Sequence, residues 1–277
     1  MNLLACLDLS PYATSVADHA AWVASACPGK VELLHVIQRR DAVTRRGDLS
    51  GALGLGARSN LMEELVSLEE SEARLAREQG EALLDTAAAR LAEKEVESST
   101  LMRHGDIVET IVERETDADL LVIGKRGAHA DFARGHLGSK VERVVRQSDK
   151  PVLVASRDFA PIRTALIAFD GGASARKAVA MAATSPLFEG VTAHVVQVGE
   201  EGRASLDWAG ETLGERLGGM ESLPGDVEGA LTAEAERIGA DIALMGAYGH
   251  SPLRTLIVGS TTTAMLRALH VPVMLFR

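Results

Sequence analysis

The sequence predicts an α/β protein made of two tandem doubly wound parallel sheets, Rossmann-like in kind. Three observations carry that expectation. The chain repeats itself, short apolar runs alternate with longer segments of helical period within each copy, and each copy carries a glycine-rich turn between a strand and a helix. Such alternation is the signature of βαβ units, which build a parallel sheet with helices on both faces.

The repeat is legible as landmarks in the same order. Leu3-Leu4-Ala5-Cys6-Leu7-Asp8 matches Ala165-Leu166-Ile167-Ala168-Phe169-Asp170, an apolar strand ending in Asp. Leu33-Leu34-His35-Val36-Ile37-Gln38 aligns with Thr192-Ala193-His194-Val195-Val196-Gln197. His104-Gly105-Asp106 and Pro224-Gly225-Asp226 each precede a helix. Ala118 to Gly124 pairs with Ala240 to Gly246, and Lys150-Pro151-Val152 with Val271-Pro272-Val273. The prolines suit a strand start or an edge.

These matches divide the chain into domains at 1–157 and 158–277, with a linker over Asp158 to Arg163. The first copy carries an insertion at about 39–75, opened by Arg39-Arg40 and Arg45-Arg46. Gly54-Leu55-Gly56 follows no strand and lacks a third glycine, so it is not a dinucleotide fingerprint. A loop is expected there. Beyond it Leu61, Leu65, Leu68, Leu75, Leu83, Leu84 and Leu91 recur at helical spacing, predicting a long amphipathic helix with a solvated charged side.

Composition narrows the function. Apolar residues make up 46% and charged residues 25%, as in a folded globular protein. A net charge of -10 argues against nucleic acid as a partner. Cys6 and Cys27 stand in no disulfide or zinc pattern, and no run is long enough to span a membrane. The first ten residues lack a basic signal-peptide start, so the expected location is the cytoplasm, with no membrane partner.

The sharpest signal is Gly246-x-x-Gly249, nine residues, then Gly259-Ser260, between an apolar strand and a helix. Glycines let a backbone approach a ligand closely, and free N–H groups at a helix start favour a phosphate. No Walker sequence is present. At these residues, and over nearly the whole chain, the sequence resembles the universal stress protein family, whose ATP-binding members carry this glycine pattern. The resemblance implies five parallel strands per domain in the order 3-2-1-4-5. It implies ATP or ADP as ligand, with Mg2+ as an optional companion, and pairing of the last strands, Val152 to Ala155 with Val273 to Phe276, into an intramolecular pseudo-dimer. Whole-chain homodimerisation stays open.

Carried over by match, the second site comprises Asp170, Val195, Gly246, Gly249, Gly259, Ser260 and Thr262, and the first comprises Asp8, Val36, Gly124, Gly127, Gly138 and Ser139. In the family the Asp and the Val backbone lie near adenine, and the glycines and hydroxyls hold phosphate. The first copy departs from the pattern: ten residues separate Gly127 from Gly138, and Val141 stands where the second has Thr262. Lys140 offers a compensating charge. Plainer roles compete: Asp8 and Asp170 as helix caps, Ser10-Pro11 as a cap and first-turn pair, and His35 and His194 as satisfied core residues. His104, His129, His136 and His250 have no partner at metal-ligand spacing.

The leading functional expectation is a nucleotide-sensing stress module, acting mainly through the second domain and read by a protein partner not named by the sequence. A slow ATPase is the enzymatic alternative, but apart from Arg254 no base, arginine finger or metal carboxylate is evident near the loop, so no catalytic residue is assigned. A nucleotide-independent adaptor or small-ligand carrier is the third.

Overall fold

The computed structural model describes residues 1–38, 55–127, 139–199, 203–247 and 260–277. The first half runs β1 (Leu3–Leu7), α1 (Ala13–Ala26), β2 (Val31–Ile37), α2 (Leu55–Ala92), β3 (Ser98–His104), α3 (Ile107–Arg114), β4 (Leu120–Gly124), α4 (Ser139–Gln147) and β5 (Val152–Ala155). The second repeats the order with β6 (Thr164–Ala168), α5 (Ala173–Thr184), β7 (Thr192–Val198), α6 (Arg203–Leu213), β8 (Leu217–Leu223), α7 (Val227–Ile238), β9 (Ile242–Gly246), α8 (Ser260–Ala268) and β10 (Val273–Phe276).

Each half has the expected order, β3-β2-β1-β4-β5 and β8-β7-β6-β9-β10. The two are not separate sheets, however. β5 and β10 pair antiparallel, with Val154 opposite Val273, Leu153 opposite Met274 and Val152 opposite Leu275, so a single ten-stranded sheet crosses the molecule. Pro151 and Pro272 each stand just before these central strands, where the missing N–H costs no ladder bond; their carbonyls accept from Leu121 and Ala243 at 3.0 Å.

Central strands are covered on both faces, which is why they read as continuous apolar runs rather than alternating ones. Leu3, Ala5, Leu33 and Val122 meet Val16, Ala20 and Leu91 on one face; Leu4, Leu34 and Leu121 meet Val108, Ile111 and Val144 on the other. Each fully buried aliphatic side chain of this kind contributes roughly 1.5–3 kcal/mol. The two terminal strands, β3 and β8, are half exposed and polar, as edge strands must be to avoid further pairing. Asp106 and Asp226 cap α3 and α7, accepting from the amides of Val108 (2.9 Å) and Gly229 (2.7 Å).

The predicted long helix is α2, which begins at Leu55 and so takes up the latter part of the 39–75 insertion. Residues 39–54 lie outside the described residues. The leucines do not share one buried face: Leu84 and Leu91 are in the core, while Leu65, Leu68 and Leu75 are 38%, 51% and 53% exposed. Among the described side chains, those that anchor the helix in the core lie in its carboxyl-terminal part. There the buried carboxylate of Asp18 on α1 accepts from Arg90 at 2.7 and 2.8 Å and from Lys94 at 2.9 Å. The segment between β5 and β6 is held against α1 as well, with Phe159 edge-on to His19 at 5.0 Å and the Ser15 hydroxyl donating to the Ser156 carbonyl at 2.8 Å.

Candidate functional site

In each half the strand pair β1/β4, or β6/β9, is the point where successive crossovers leave toward opposite faces. α1 packs on one face and α4 on the other. Divergence of the two connections opens a crevice beyond the carboxyl ends of the strands. Asp8 and Asp170 stand at its mouth, Asp8 directly after β1 and Asp170 one residue further on, behind Phe169, after β6.

Both carboxylates do the same local work. Asp8 Oδ1 accepts from the Ser10 amide at 3.1 Å, and Asp170 Oδ1 from the Gly172 amide at 2.9 Å. Each closes a two-residue turn that fixes the strand-to-helix corner. Neither is the helix cap: the N-cap positions are Tyr12 and Gly172. Ser10 likewise precedes the helix, its hydroxyl accepting from the Tyr12 amide at 3.2 Å. Asp170 is exposed and Asp8 half-buried.

The glycines closing β4 and β9 are required by close approach. A Cβ on Gly124 would lie 2.8 Å from Tyr12 Cβ, and one on Gly246 would lie 3.0 Å from Ser174 Cβ, so the first helical turn presses on the strand end. A Cβ on Gly127 would lie 3.0 Å from Asp8 Oδ2, which brings the glycine turn against the carboxylate. Ser139 and Ser260 are the first residues of α4 and α8, whose opening amides have no intrahelical acceptor and suit an anion. Glycine-terminated strands, helix starts and clamped Asp residues fit a nucleotide's polar groups. Gly138, Gly249, Gly259, Arg254, His129, His136 and His250 lie outside the described residues. Among the described residues no group of three or more His, Cys, Asp or Glu is arranged to hold a metal ion.

Two of the matched residues have a local role or register that the sequence did not show. Thr262 is 3% exposed, and its hydroxyl donates to the Ala247 carbonyl at 3.1 Å, tying the start of α8 to the end of β9. This bond is a structural tie, and Val141, 7% exposed, fills the same place in the first half by packing alone. The match of Val195 with Val36 needs correction. Leu3 pairs with Val31 and Ala165 with Ala193, so the strands correspond at a constant offset that matches Val36 with Val198. Val195 packs in the core on one face of the sheet while Val36 packs on the other. Matching His35 to His194 shifts β7 by three residues, and an odd shift reverses every side chain. His35 itself is a satisfied core residue, its Nδ1 donating to the Leu7 carbonyl at 2.9 Å.

Two lysines at the first site are already engaged. Lys140 Nζ donates to Gln38 Oε1 at 2.6 Å, across the gap between α4 and the end of β2. Lys125, which follows Gly124 where the second half has Ala247, is buried and donates to the Leu269 carbonyl at the end of α8. Burial, and then the nearby Arg126 charge, push its amine down to about 8. Sequence reasoning missed the engagement of Lys125 and the correspondence of Val198 with Val36; a lysine directly after a strand-ending glycine, where the other copy has alanine, was the available signal for the first.

The universal stress protein family model matches residues 1–156 and 219–277. The chain belongs to the universal stress protein family. Universal stress protein Slr1230 of Synechocystis is 36% identical over 286 aligned positions, covering all of this chain and 99% of that protein. Universal stress protein Rv2005c of Mycobacterium tuberculosis is 29% identical over 194 residues, or 61% of this chain and 65% of that one. The crystal structure of a universal stress protein from Archaeoglobus fulgidus shares the fold, with a TM-score of 0.71 at 22% identity over 100% of this chain and 98% of its own. This universal stress protein therefore has relatives that span both of its halves, seam included.

Proposed function

We propose that the protein is a stress-response nucleotide sensor that binds ATP or ADP, chiefly in its second half, with domains at 1–157 and 158–277. The observation that carries this reading is the corner at Asp170. Its carboxylate is clamped by the Gly172 amide just beyond β6, whose last residue, Ala168, pairs with Met245 of β9, one residue before Gly246 and on the chain's way to α8. In this reading Asp170 and the Val198 main chain meet adenine. The phosphates lie on the glycine turn from Gly246 through Gly249 and Gly259 and on the α8 amides, and Mg2+ enters as their counterion. The first half is the weaker site, because Lys125 spends its amine on Leu269 and Lys140 on Gln38. The protein acts by binding rather than by turnover: ligand favours one loop arrangement through its differential affinity, and a cytoplasmic partner reads the result.

Isothermal titration of ATP and ADP into the full chain tests this, alongside Asp170→Ala and Asp8→Ala. The expected result is saturable binding weakened about tenfold or more by Asp170→Ala and less by Asp8→Ala. Absence of heat and of any thermal shift with either nucleotide would refute it.

A further inference from the structure

Helix α2 outruns the body it packs on. Gly80, Leu84, Ala87 and Leu91 form one buried face, whereas almost every side chain from Glu63 to Gln79 is exposed. At 1.5 Å per residue that outer part is about 25 Å long. At about 100° per residue the buried face would continue through Val66 and Ala73, but Leu65, Leu68 and Leu75 form a row turned roughly 115° away from it. They are 38%, 51% and 53% exposed, so the row is a second apolar face, separate from the one that anchors the helix. A helix of this length without tertiary packing is marginal in water, and an unmatched apolar stripe on it calls for a covering surface.

Charge decides what covers it. Glu64 and Glu78 border the row on one side, Glu69 borders it on the other, and Glu72 lies within it; Arg74 and Arg77 lie on the far side of the helix. A second copy fits badly. Antiparallel pairing of Leu65 with Leu75 would bring Glu64 to Glu78 and Glu69 to Glu69, and parallel pairing would set Glu72 against Glu72. Like charges so placed destabilise a helix pair.

We propose that the outer part of α2 is a docking surface for a basic amphipathic helix of another protein. Apolar residues of that helix cover Leu65, Leu68 and Leu75, and its Lys or Arg residues pair with Glu64, Glu69 and Glu78. Such helix-on-helix recognition takes its affinity from the apolar anchors and its choice of partner from the flanking charges. The surface is independent of the nucleotide reading, since it shares no residue with either crevice.

The test uses the full chain and two labelled synthetic helices of about 18 residues, each with a leucine stripe, one flanked by Lys and the other by Glu. Fluorescence anisotropy is read at about 50 and about 300 mM salt. The Lys peptide should bind at least about tenfold more tightly than the Glu peptide, weaken with salt, and lose about tenfold or more with Leu65→Gln/Leu68→Gln/Leu75→Gln. That variant keeps every charge, so undiminished binding to it would mean non-specific attraction to an acidic protein and would overturn the proposal. Glu64→Gln/Glu69→Gln/Glu78→Gln, which keeps good helix formers throughout, should lose the preference between the two peptides, and a preference retained would also overturn it. So would a wild-type dimer in sedimentation that the leucine variant abolishes, because a second copy would then be the occupant.

Discussion

Lys125 is 8% exposed, donates to the Leu269 carbonyl, and has its amine lowered from the usual 10.5 to about 8, by burial first and by Arg126 second. In the unfolded chain the amine keeps its proton up to about pH 10.5, and in the folded chain it releases it from about pH 8. Between those values the unfolded state binds more protons, so stability rises with pH; below about pH 8 the cost of holding a buried charge is fully present. That cost is about 3 kcal/mol, of which about 2 kcal/mol is relieved between about pH 7.5 and about pH 9.5. The neutral amine still donates to Leu269. Lys125→Met removes the titration and leaves the carbonyl without that donor, a penalty of about 1–3 kcal/mol that does not depend on pH. Urea denaturation of both proteins at the two pH values gives the difference directly, since other groups titrating in this range cancel. Wild type should gain about 2 kcal/mol on the variant as the pH rises. A difference that stays flat would refute the assignment of a buried, depressed lysine at the junction of the two halves.

Asp18→Asn should destabilise the protein by about 2 kcal/mol at neutral pH, discounted for the part-exposed Arg90 and Lys94, as read by thermal melts. Burial alone would raise the Asp18 carboxyl, but hydrogen bonds from Arg90 and Lys94 outweigh it and hold the group below its usual value. Its stabilisation is therefore complete above about pH 4 and is lost as the pH falls through the lowered folded value, so the variant should show a shallower acid loss. Thr262→Val should cost about 1 kcal/mol in denaturation and change ATP affinity far less than Asp170→Ala does, because its hydroxyl serves Ala247. Addition of ADP to labelled protein should shift the backbone amide resonance of Val198 more than that of Val195; the opposite order would restore the sequence match of Val195.

Most of the fold was legible because βαβ units leave strong marks: apolar runs, an Asp at the strand end, Gly-Asp before a helix, Pro at a strand start. The alignment of β2 with β7 failed for a reason tied to the same fold. Strands buried on both faces carry no alternation, so nothing in Ala193-His194-Val195-Val196 fixes which side chain faces which way, and a shared His-Val pair set a false phase. Only the ladder, with Ala165 opposite Ala193, fixes it. The tie made by Thr262 was not legible because Ser and Thr at a helix start suit both an anion and a backbone carbonyl; the sequence carries the hydroxyl but not its direction. In α2 the leucine spacing predicted the helix correctly. Spacing could not tell which leucines had a body to pack on, since Leu65 and Leu84 carry the same local pattern.

The antiparallel meeting of β5 and β10 reverses the polarity of the sheet at its centre. Every strand of one half runs opposite to every strand of the other, so the two crevices open at opposite poles, about four strand spacings or roughly 19 Å apart across the sheet. Molecules occupying both could never touch, and a partner gripping one pole would leave the other unobstructed. Because the halves share one chain, that two-poled arrangement also persists at any dilution, where two separate subunits would drift apart.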